Sequence, residues 1–147
     1  MEFSFILLAG GDSDRFKSDI PKQYHKIAGK TLIDISISKI KEIKKIKEIV
    51  LVYNKKHKKY LKDVNLHNLK LIEGGSTRQE STCNALNYLQ KRKNLSKVLI
   101  HDAARPNFSR QLVENILTNS RINRVVIPVL KLQDALKEKN HKNKFLS

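Results

Sequence analysis

The chain alternates between short apolar runs and longer segments with a helical pattern. Five short, almost continuous apolar runs occur: residues 3–9, 48–53, 69–72, 98–100 and 125–129. Such runs are typical of strands that are buried on both faces. In the segments between them, apolar residues recur every three or four positions, which predicts amphipathic helices. This alternation predicts an α/β fold with a doubly wound, mainly parallel, Rossmann-like sheet and helices on both faces.

The predicted helices begin at residues that favour a helix N-terminus. Thr31 precedes a helix that carries the apolar residues of segment 32–43. Ser76, followed three residues later by Gln79, resembles a capping box and predicts a helix that ends near Lys91. Ser109 can cap a further helix in the same way. The elements between residues 3 and 129 therefore form one continuous alternation of strand and helix.

A strong basic excess raises the hypothesis of a nucleic-acid partner. The 147 residues hold 30 Lys and Arg against 14 Asp and Glu, and residues 39–62 alone hold ten lysines and two glutamates. A basic patch attracts polyanions. However, only 7 of the 30 basic residues are Arg, the residue that reads bases and phosphates with its planar fork. A solvated, lysine-rich face is therefore favoured, and nucleic acid is not expected as a partner.

Length, cysteine content and hydropathy exclude several other classes of protein. The length suits one domain, residues 1–147, with its own core. The single cysteine, Cys83, cannot form an intramolecular disulfide, which excludes a disulfide-stapled secreted module. No apolar run reaches the roughly eighteen residues of a membrane span. The first apolar run follows Glu2 rather than a basic stretch, unlike a signal peptide. We therefore expect a cytoplasmic protein without membrane contact.

Polar clusters follow three of the predicted strands, at residues 9–16, 74–81 and 101–106. The carboxyl ends of parallel strands meet at one edge of the sheet, where α/β proteins bind ligands. Each cluster combines small residues with charged ones, which suits the approach of the backbone to an anionic ligand. We therefore expect the three clusters to form one site for an anionic ligand.

Two common phosphate-binding motifs do not account for this site. The segment Gly29-Lys30-Thr31 ends like a Walker A loop, but Tyr24 stands where that motif requires its first glycine. The first cluster is not a GxGxxG fingerprint, because Asp12 and Ser13 interrupt its spacing. Any phosphate chemistry must therefore use another scaffold.

The charged residues of the clusters are those that a nucleotidyl transfer needs. Arg15 and Lys22 lie on one loop and could converge on a triphosphate, where they would offset the charge of an in-line transition state. Asp102 ends a strand and suits Mg²⁺ that bridges phosphate oxygens. Arg105 suits a second anionic substrate, and His101 is expected to support Asp102 through a hydrogen bond. Each residue alone could equally be a solvated loop residue or a cap; together, at successive strand ends, they favour a site.

The same motifs resemble those of the 2-C-methyl-D-erythritol 4-phosphate cytidylyltransferase family, from the non-mevalonate isoprenoid pathway. The matching segments are AGGDSDRF at 9–16, PKQY at 21–24, GGSTRQES at 74–81 and HDAARP at 101–106, of which the last is the most specific. The resemblance implies a nucleotidyltransferase-type sheet and an enzyme that uses Mg²⁺. It implies the transfer of CMP from CTP to methylerythritol 4-phosphate, which gives CDP-methylerythritol and pyrophosphate.

The resemblance also implies a role for each candidate residue. Arg15 and Lys22 correspond to catalytic cations that stabilise the pentavalent α-phosphorus. Asp102 corresponds to an aspartate that binds metal and substrate, and Arg105 to a contact with the substrate phosphate. The positions that correspond to nucleotide contacts are Ala9, Gly10, Gly11, Gly75, Ser76 and Ser81.

The chain also departs from the family pattern. Gly10 replaces a usual alanine and Ser13 a usual glycine, and Asp134-Ala135 replaces an Asp-Thr pair, which loses a hydroxyl. Family members continue for several dozen residues beyond Ser147, with a further catalytic arginine and the arm through which they dimerise. We therefore expect a chain that is incomplete at its carboxyl end, binds CTP weakly and turns over poorly or not at all. It would be part of a monofunctional enzyme or of one fused to a cyclodiphosphate synthase, with a homodimer for the full-length form.

Two alternatives remain at this point. Ribitol 5-phosphate cytidylyltransferase resembles the same family and often has AGG in its first loop, although HDAARP at 101–106 favours the methylerythritol branch. From a different class, a non-catalytic, basic nucleic-acid-binding module is supported by the lysine-rich segment 39–62.

Overall fold

The order of elements is that of an alternating α/β chain. The computed structural model describes residues 2–13, 16–92 and 97–131. Its strands are β1 (Phe3–Ala9), β2 (Lys26–Ile27), β3 (Lys30–Thr31), β4 (Ile46–Tyr53), β5 (Lys70–Glu73) and β6 (Lys97–Asp102). Its α-helices are α1 (Leu32–Lys41), α2 (Arg78–Gln90) and α3 (Arg110–Asn119), and 3₁₀ turns cover Lys22–Tyr24 and Lys55–Asp63. Two compact units are distinguished, residues 1–113 and 114–147, and both sheets lie in the first.

A four-stranded parallel sheet positions the loops of the first unit. Its strand order is β5-β4-β1-β6, and β2 and β3 form a separate antiparallel pair. Strand β1 is central, with Leu7 opposite Leu51 of β4 on one side and His101 of β6 on the other. Every residue of β1 is buried, because strands cover both of its edges and helices cover both faces. The predicted, mainly parallel α/β sheet is confirmed.

Helices pack on both faces of the sheet. On one face, Ile6 and Val50 join a core cluster with Ala85 and Leu89 of α2. Side chains alternate along a strand, so Phe5 points to the opposite face. There its ring lies 6.5 Å from that of Phe108, whose backbone carbonyl accepts a hydrogen bond from Lys39 of α1. The arrangement is doubly wound, as the sequence predicts.

Capping residues fix where the helices begin. Thr31 closes a capping box at α1: its hydroxyl accepts from the Asp34 amide at 3.0 Å, and the Asp34 carboxylate accepts from the Thr31 amide at 3.3 Å. Ser109 accepts from the Leu112 amide at 3.1 Å, as predicted. The prediction for α2 was wrong by one residue, because Thr77 rather than Ser76 accepts from the amide three positions on, that of Glu80.

The fifth predicted strand is not observed. Residues 125–129 lie in the described part of the second unit but carry neither helix nor strand, and Val125, Ile127 and Val129 are exposed. An apolar run shows only that a segment can be buried; a strand also needs a neighbouring strand to take its backbone hydrogen bonds. The expected Asp134-Ala135 pair lies outside the described residues.

Some lysines of the basic region make specific intramolecular contacts. Lys39 Nζ donates to the backbone oxygens of Pro106 at 2.8 Å and Phe108 at 3.1 Å, and it lies 5.4 Å from the centre of the Phe108 ring. Lys41 Nζ donates to the His67 carbonyl at 2.9 Å. Lys39 and Lys41 therefore connect α1 to neighbouring loops. Across the described residues, no helix combines the length and the apolar character that crossing a bilayer requires.

Candidate functional site

The carboxyl ends of the parallel strands open into one cavity of about 1450 Å³ in the first unit. Its walls come from loops that follow β1, β4, β5 and β6, together with Phe16, Lys22 and Gln23. This is the edge at which parallel α/β sheets bind ligands. The three polar clusters of the sequence therefore meet, as the strand order requires.

Gln23 holds the loop that follows β1. Its side chain is almost completely buried, and Nε2 donates to the carbonyls of Ala9 and Gly11, both at 2.8 Å. Its Oε1 accepts from the Ser13 hydroxyl at 3.0 Å, and that hydroxyl in turn accepts from the Lys22 amide at 3.1 Å. One buried amide thus fixes the loop backbone and places Lys22 at the cavity.

Ser81 holds the loop that follows β5. Its buried hydroxyl accepts from the Gly75 amide at 3.0 Å. A Cβ at Gly74 would lie 2.7 Å from this hydroxyl and 3.3 Å from Val52 Cγ1, and a Cβ at Gly75 would overlap the Glu80 side chain. Both glycines are therefore needed for the close packing of this loop on the first turn of α2.

Glu80 completes the same turn. Its Oε2 accepts from the amide and from the hydroxyl of Ser76, both at 2.8 Å. These hydrogen bonds, that of the hydroxyl first, lower the pKa of Glu80. Ser76 lines the cavity with both its amide and its hydroxyl hydrogen donated to Glu80, so neither of these two donors is free for a ligand.

Two arginines hold Asp102 at the end of β6. Arg78 Nε and Nη2 each lie 3.2 Å from Asp102 Oδ1, and Arg105 Nε lies 3.4 Å from Oδ2. His101 does not support Asp102 as expected, because its Nε2 donates to the backbone carbonyl of Arg105 at 2.8 Å. That bond fixes the loop that carries Arg105, and the Asp102 carboxylate, at the end of β6, contacts the two guanidinium groups instead.

The described lining of the cavity is cationic. Five basic side chains face two carboxylates, those of Asp12 and Asp102. The basic side chains are Lys22, Lys55, Lys56, Arg78 and Arg105. An excess of positive charge in a cleft favours a polyanionic ligand such as a triphosphate.

Most of the predicted site residues surround this cavity. All of them line it except Arg15, which lies outside the described residues. The described ones are Ala9, Gly10, Gly11, Lys22, Gly75, Ser76, Ser81, Asp102 and Arg105. Their individual roles stay predictions.

Sequence reasoning missed several residues that the structure brings to the cavity or its walls. Arg78 stands in the second cluster, but its spacing gives no sign of the pairing with Asp102 across 24 positions. Asn54, Lys55 and Lys56 directly follow β4, and all three line the cavity. Applying the strand-end rule to this fourth strand would have found them. Gln23 stands in the PKQY segment at 21–24, but its burial was not predicted, since an uncharged amide in a loop is usually exposed.

Residues 3–146 match the family described as 2-C-methyl-D-erythritol 4-phosphate cytidylyltransferase. The chain is 46% identical over 143 residues to the bifunctional enzyme IspD/IspF of Pelagibacter ubique (strain HTCC1062), covering 97% of this chain and 38% of that protein. It is 39% identical over 115 residues to the 2-C-methyl-D-erythritol 4-phosphate cytidylyltransferase of Thermosipho melanesiensis, covering 74% of this chain and 49% of that protein.

A solved structure has the same fold. The bifunctional IspDF of Campylobacter jejuni superposes with a TM-score of 0.80 and 28% identity, covering 100% of this chain and 37% of that one. The chain thus spans half or less of the length of these relatives.

Proposed function

The chain belongs to the 2-C-methyl-D-erythritol 4-phosphate cytidylyltransferase family, and we propose that its cavity binds CTP for the transfer of CMP to 2-C-methyl-D-erythritol 4-phosphate. In this reaction an oxygen of the substrate phosphate forms a bond to the α-phosphorus of CTP, and the bond to pyrophosphate breaks. The observation that carries the proposal is the cationic cavity at the strand ends, where glycine-rich loops and an arginine-held aspartate meet. We infer a cytoplasmic location, where CTP is made and used.

The glycine-rich loops would bind the nucleoside and the phosphates of CTP. Ala9, Gly10 and Gly11 present backbone to the cavity with little or no side chain, which suits close approach of the triphosphate. The loop that follows β5 would contact cytosine and ribose through Gly75, Ser76 and Ser81. Support for this division comes from the order of the two loops on the sheet, since they follow β1 and β5 on either side of β4.

Cations would offset the charge that develops on the phosphates during transfer. Lys22 is exposed within the cavity lining, and the family motif assigns the same task to Arg15. Arg105 would bind the phosphate of the second substrate. Each guanidinium has five N–H donors. The contacts with Asp102 use one donor of Arg105 and two donors of Arg78. Both arginines therefore retain donors for phosphate oxygens.

Asp102 would hold the divalent cation. No group of three or more potential ligand side chains occurs within residues 2–13, 16–92 and 97–131. Mg²⁺ in nucleotide sites needs only one or two carboxylates, because phosphate oxygens and water complete its shell. A single carboxylate at the edge of a triphosphate cavity therefore fits the ion. When bound, Mg²⁺ would neutralise charge on the phosphate oxygens. A homodimer is proposed for a full-length form.

Titration calorimetry of the chain with CTP in the presence of Mg²⁺ tests the proposal. We expect binding that Lys22→Ala weakens about tenfold, as expected when a charge-assisted contact to a phosphate is lost. Lys30→Ala is the matched control, because Lys30 is also exposed but does not line the cavity. Absence of CTP binding by the wild-type chain, or equal affinity for all four ribonucleoside triphosphates, would contradict the proposal.

The second substrate can be tested through the product. Any turnover of CTP and methylerythritol 4-phosphate in the presence of Mg²⁺ should give CDP-methylerythritol and pyrophosphate, at a rate that ribitol 5-phosphate does not match. Preference for ribitol 5-phosphate would move the chain to the other cytidylyltransferase branch. Binding of duplex DNA that weakens steeply with salt, without CTP binding, would instead support the basic module.

A further inference from the structure

Asp12 lies in the middle of the loop that follows β1, and its carboxylate contacts two side chains of the segment that follows β4: it accepts a hydrogen bond from Asn54 and lies beside the His57 ring. Its Oδ1 lies 3.1 Å from Asn54 Nδ2 and 3.2 Å from His57 Nε2. Asn54 Nδ2 also donates to the carbonyl of Gly10 at 3.1 Å. One carboxylate oxygen and one carbonyl therefore connect this loop to a second element of the sheet edge.

Asn54 is itself fixed at its other end. Its Oδ1 accepts from the Lys56 amide at 2.9 Å, which caps the 3₁₀ turns Lys55–Asp63. The carbonyl of Asn54 accepts from the His57 amide at 2.8 Å. Because Oδ1 is used by an amide donor, the Nδ2 group must face Gly10 and Asp12. The orientation of Asn54 is thus determined by its contacts on both sides.

His57 is held by burial. Only 8% of the residue is exposed, and its ring lies 6.1 Å from the Tyr24 ring and 6.4 Å from the Tyr60 ring. A ring packed against two others has little freedom to turn away from Asp12.

The opposite side of the same loop is held by Gln23, which binds the carbonyls of Ala9 and Gly11. Asn54 binds the carbonyl between them, that of Gly10. The carbonyls of Ala9 and Gly11 therefore accept from Gln23, which follows the loop, and the carbonyl of Gly10 between them accepts from Asn54, which follows β4. Both Gly10 and Gly11 line the cavity.

We propose that Asn54 and His57 are positioning residues that act through Asp12 to hold the loop of residues 10–13 in the conformation that receives the nucleotide. The inference rests on the proposed CTP binding. A loop already held in its binding conformation loses less entropy when the ligand arrives, so its affinity is higher. The sequence motifs do not indicate the contact between Asp12 and His57, because the two residues are 45 positions apart in the chain.

Calorimetry with CTP and Mg²⁺ tests the role in binding. Asn54→Ala removes two hydrogen bonds to the loop and His57→Phe removes the polar contact with Asp12, so each should raise the dissociation constant about five- to tenfold. Asp12→Ala should behave alike, and Asp12→Asn should recover most of the affinity, because an amide oxygen can still accept from Asn54 and lie against His57. The Asp12→Ala/His57→Phe double variant should bind no more weakly than the weaker single variant.

Matched controls separate positioning from general destabilisation. Asn87→Ala and His67→Phe alter exposed residues away from the cavity and should bind CTP like the wild-type chain. A merely structural role of His57 would lower the melting temperature without changing the dissociation constant of the folded fraction. Wild-type affinity in folded Asn54→Ala and His57→Phe would overturn the proposal.

Hydrogen–deuterium exchange decides the same question without CTP. Peptides that cover residues 10–13 should exchange faster in Asn54→Ala and His57→Phe, and at the wild-type rate in the two controls. If the wild-type chain fails to bind CTP, the proposed function is wrong, and the exchange data still show whether the two residues hold the loop. Unchanged exchange at residues 10–13 in both variants would overturn the positioning role.

Discussion

Replacing Gln23 with methionine removes three hydrogen bonds from the interior of the first loop while keeping a side chain of similar length. The bonds are those from Nε2 to the Ala9 and Gly11 carbonyls, at 2.8 Å each, and that from the Ser13 hydroxyl to Oε1 at 3.0 Å. Each such bond contributes about 1 kcal/mol net, and a buried group left unpaired costs about 1–3 kcal/mol. Because Gln23 is only 2% exposed, water cannot easily replace the lost partner. We expect the free energy of unfolding to fall by about 2–4 kcal/mol.

Urea denaturation followed by far-ultraviolet circular dichroism measures this change. The midpoint should move to lower urea with an unchanged m-value, since the surface exposed on unfolding stays the same. The control is Gln79→Met, which alters an exposed glutamine at the start of α2 and should leave the midpoint within error. A Gln23→Met chain whose stability lies within about 0.5 kcal/mol of the wild type would refute the view that this amide holds the loop.

Three further changes test other parts of the structure. Gly74→Ala places a Cβ 2.7 Å from Ser81 Oγ and should cost about 1–3 kcal/mol in urea unfolding, whereas Gly11→Ala, whose Cβ meets no described atom within 4 Å, should cost little. Thr31→Val removes the cap of α1 and should cost about 1–2 kcal/mol, with exposed Thr118→Val as the control; equal losses would contradict the role of the cap. Burial lowers the pKa of His57 below its usual value of 6.5, and the charges of Lys56 and Lys59 act in the same direction, whereas the charge of Asp12 opposes the shift. The neighbouring Tyr24 stays neutral over this range, because its own burial raises its pKa to about 12. The unfolded chain therefore takes up a proton that the folded chain resists, so stability should be full above pH 6.5 and fall as the pH drops through that value. His57→Gln should flatten this part of the profile and His67→Gln should not; an unchanged slope in His57→Gln would show that another group is responsible.

The sequence predicted those parts of the fold that depend on local pattern. The run Phe3–Ala9 could be recognised as a buried strand because six of its seven residues are apolar, and the structure buries all seven. Thr31 could be recognised as a cap because capping involves residues three positions apart. The short pair β2 and β3 was not predicted, since two-residue strands carry no periodic pattern.

Contacts between distant segments could not be predicted in the same way. The rule that strand ends share one edge brought Gly75 and Asp102 to the same cavity, but it does not say which side chains pair there. The approach of Arg78 to Asp102, and of His57 to Asp12, depends on how loops from different strands fold against each other. The run at 125–129 was predicted as a strand from its apolar pattern, but it forms none, because such a pattern does not show whether a neighbouring strand is present to pair with it.

The central position of β1 has a consequence for the order in which the protein can fold during synthesis. Phe3 pairs with Lys97 of β6, a residue that the ribosome adds 94 positions later. At about 5–20 residues per second, this delay is on the order of ten seconds. During that time one edge of the most apolar strand in the first unit has no partner. Its exposed backbone and its phenylalanine, isoleucine and leucine side chains are then open to association with other chains. Nascent β1 is therefore the segment on which a chaperone would act most usefully.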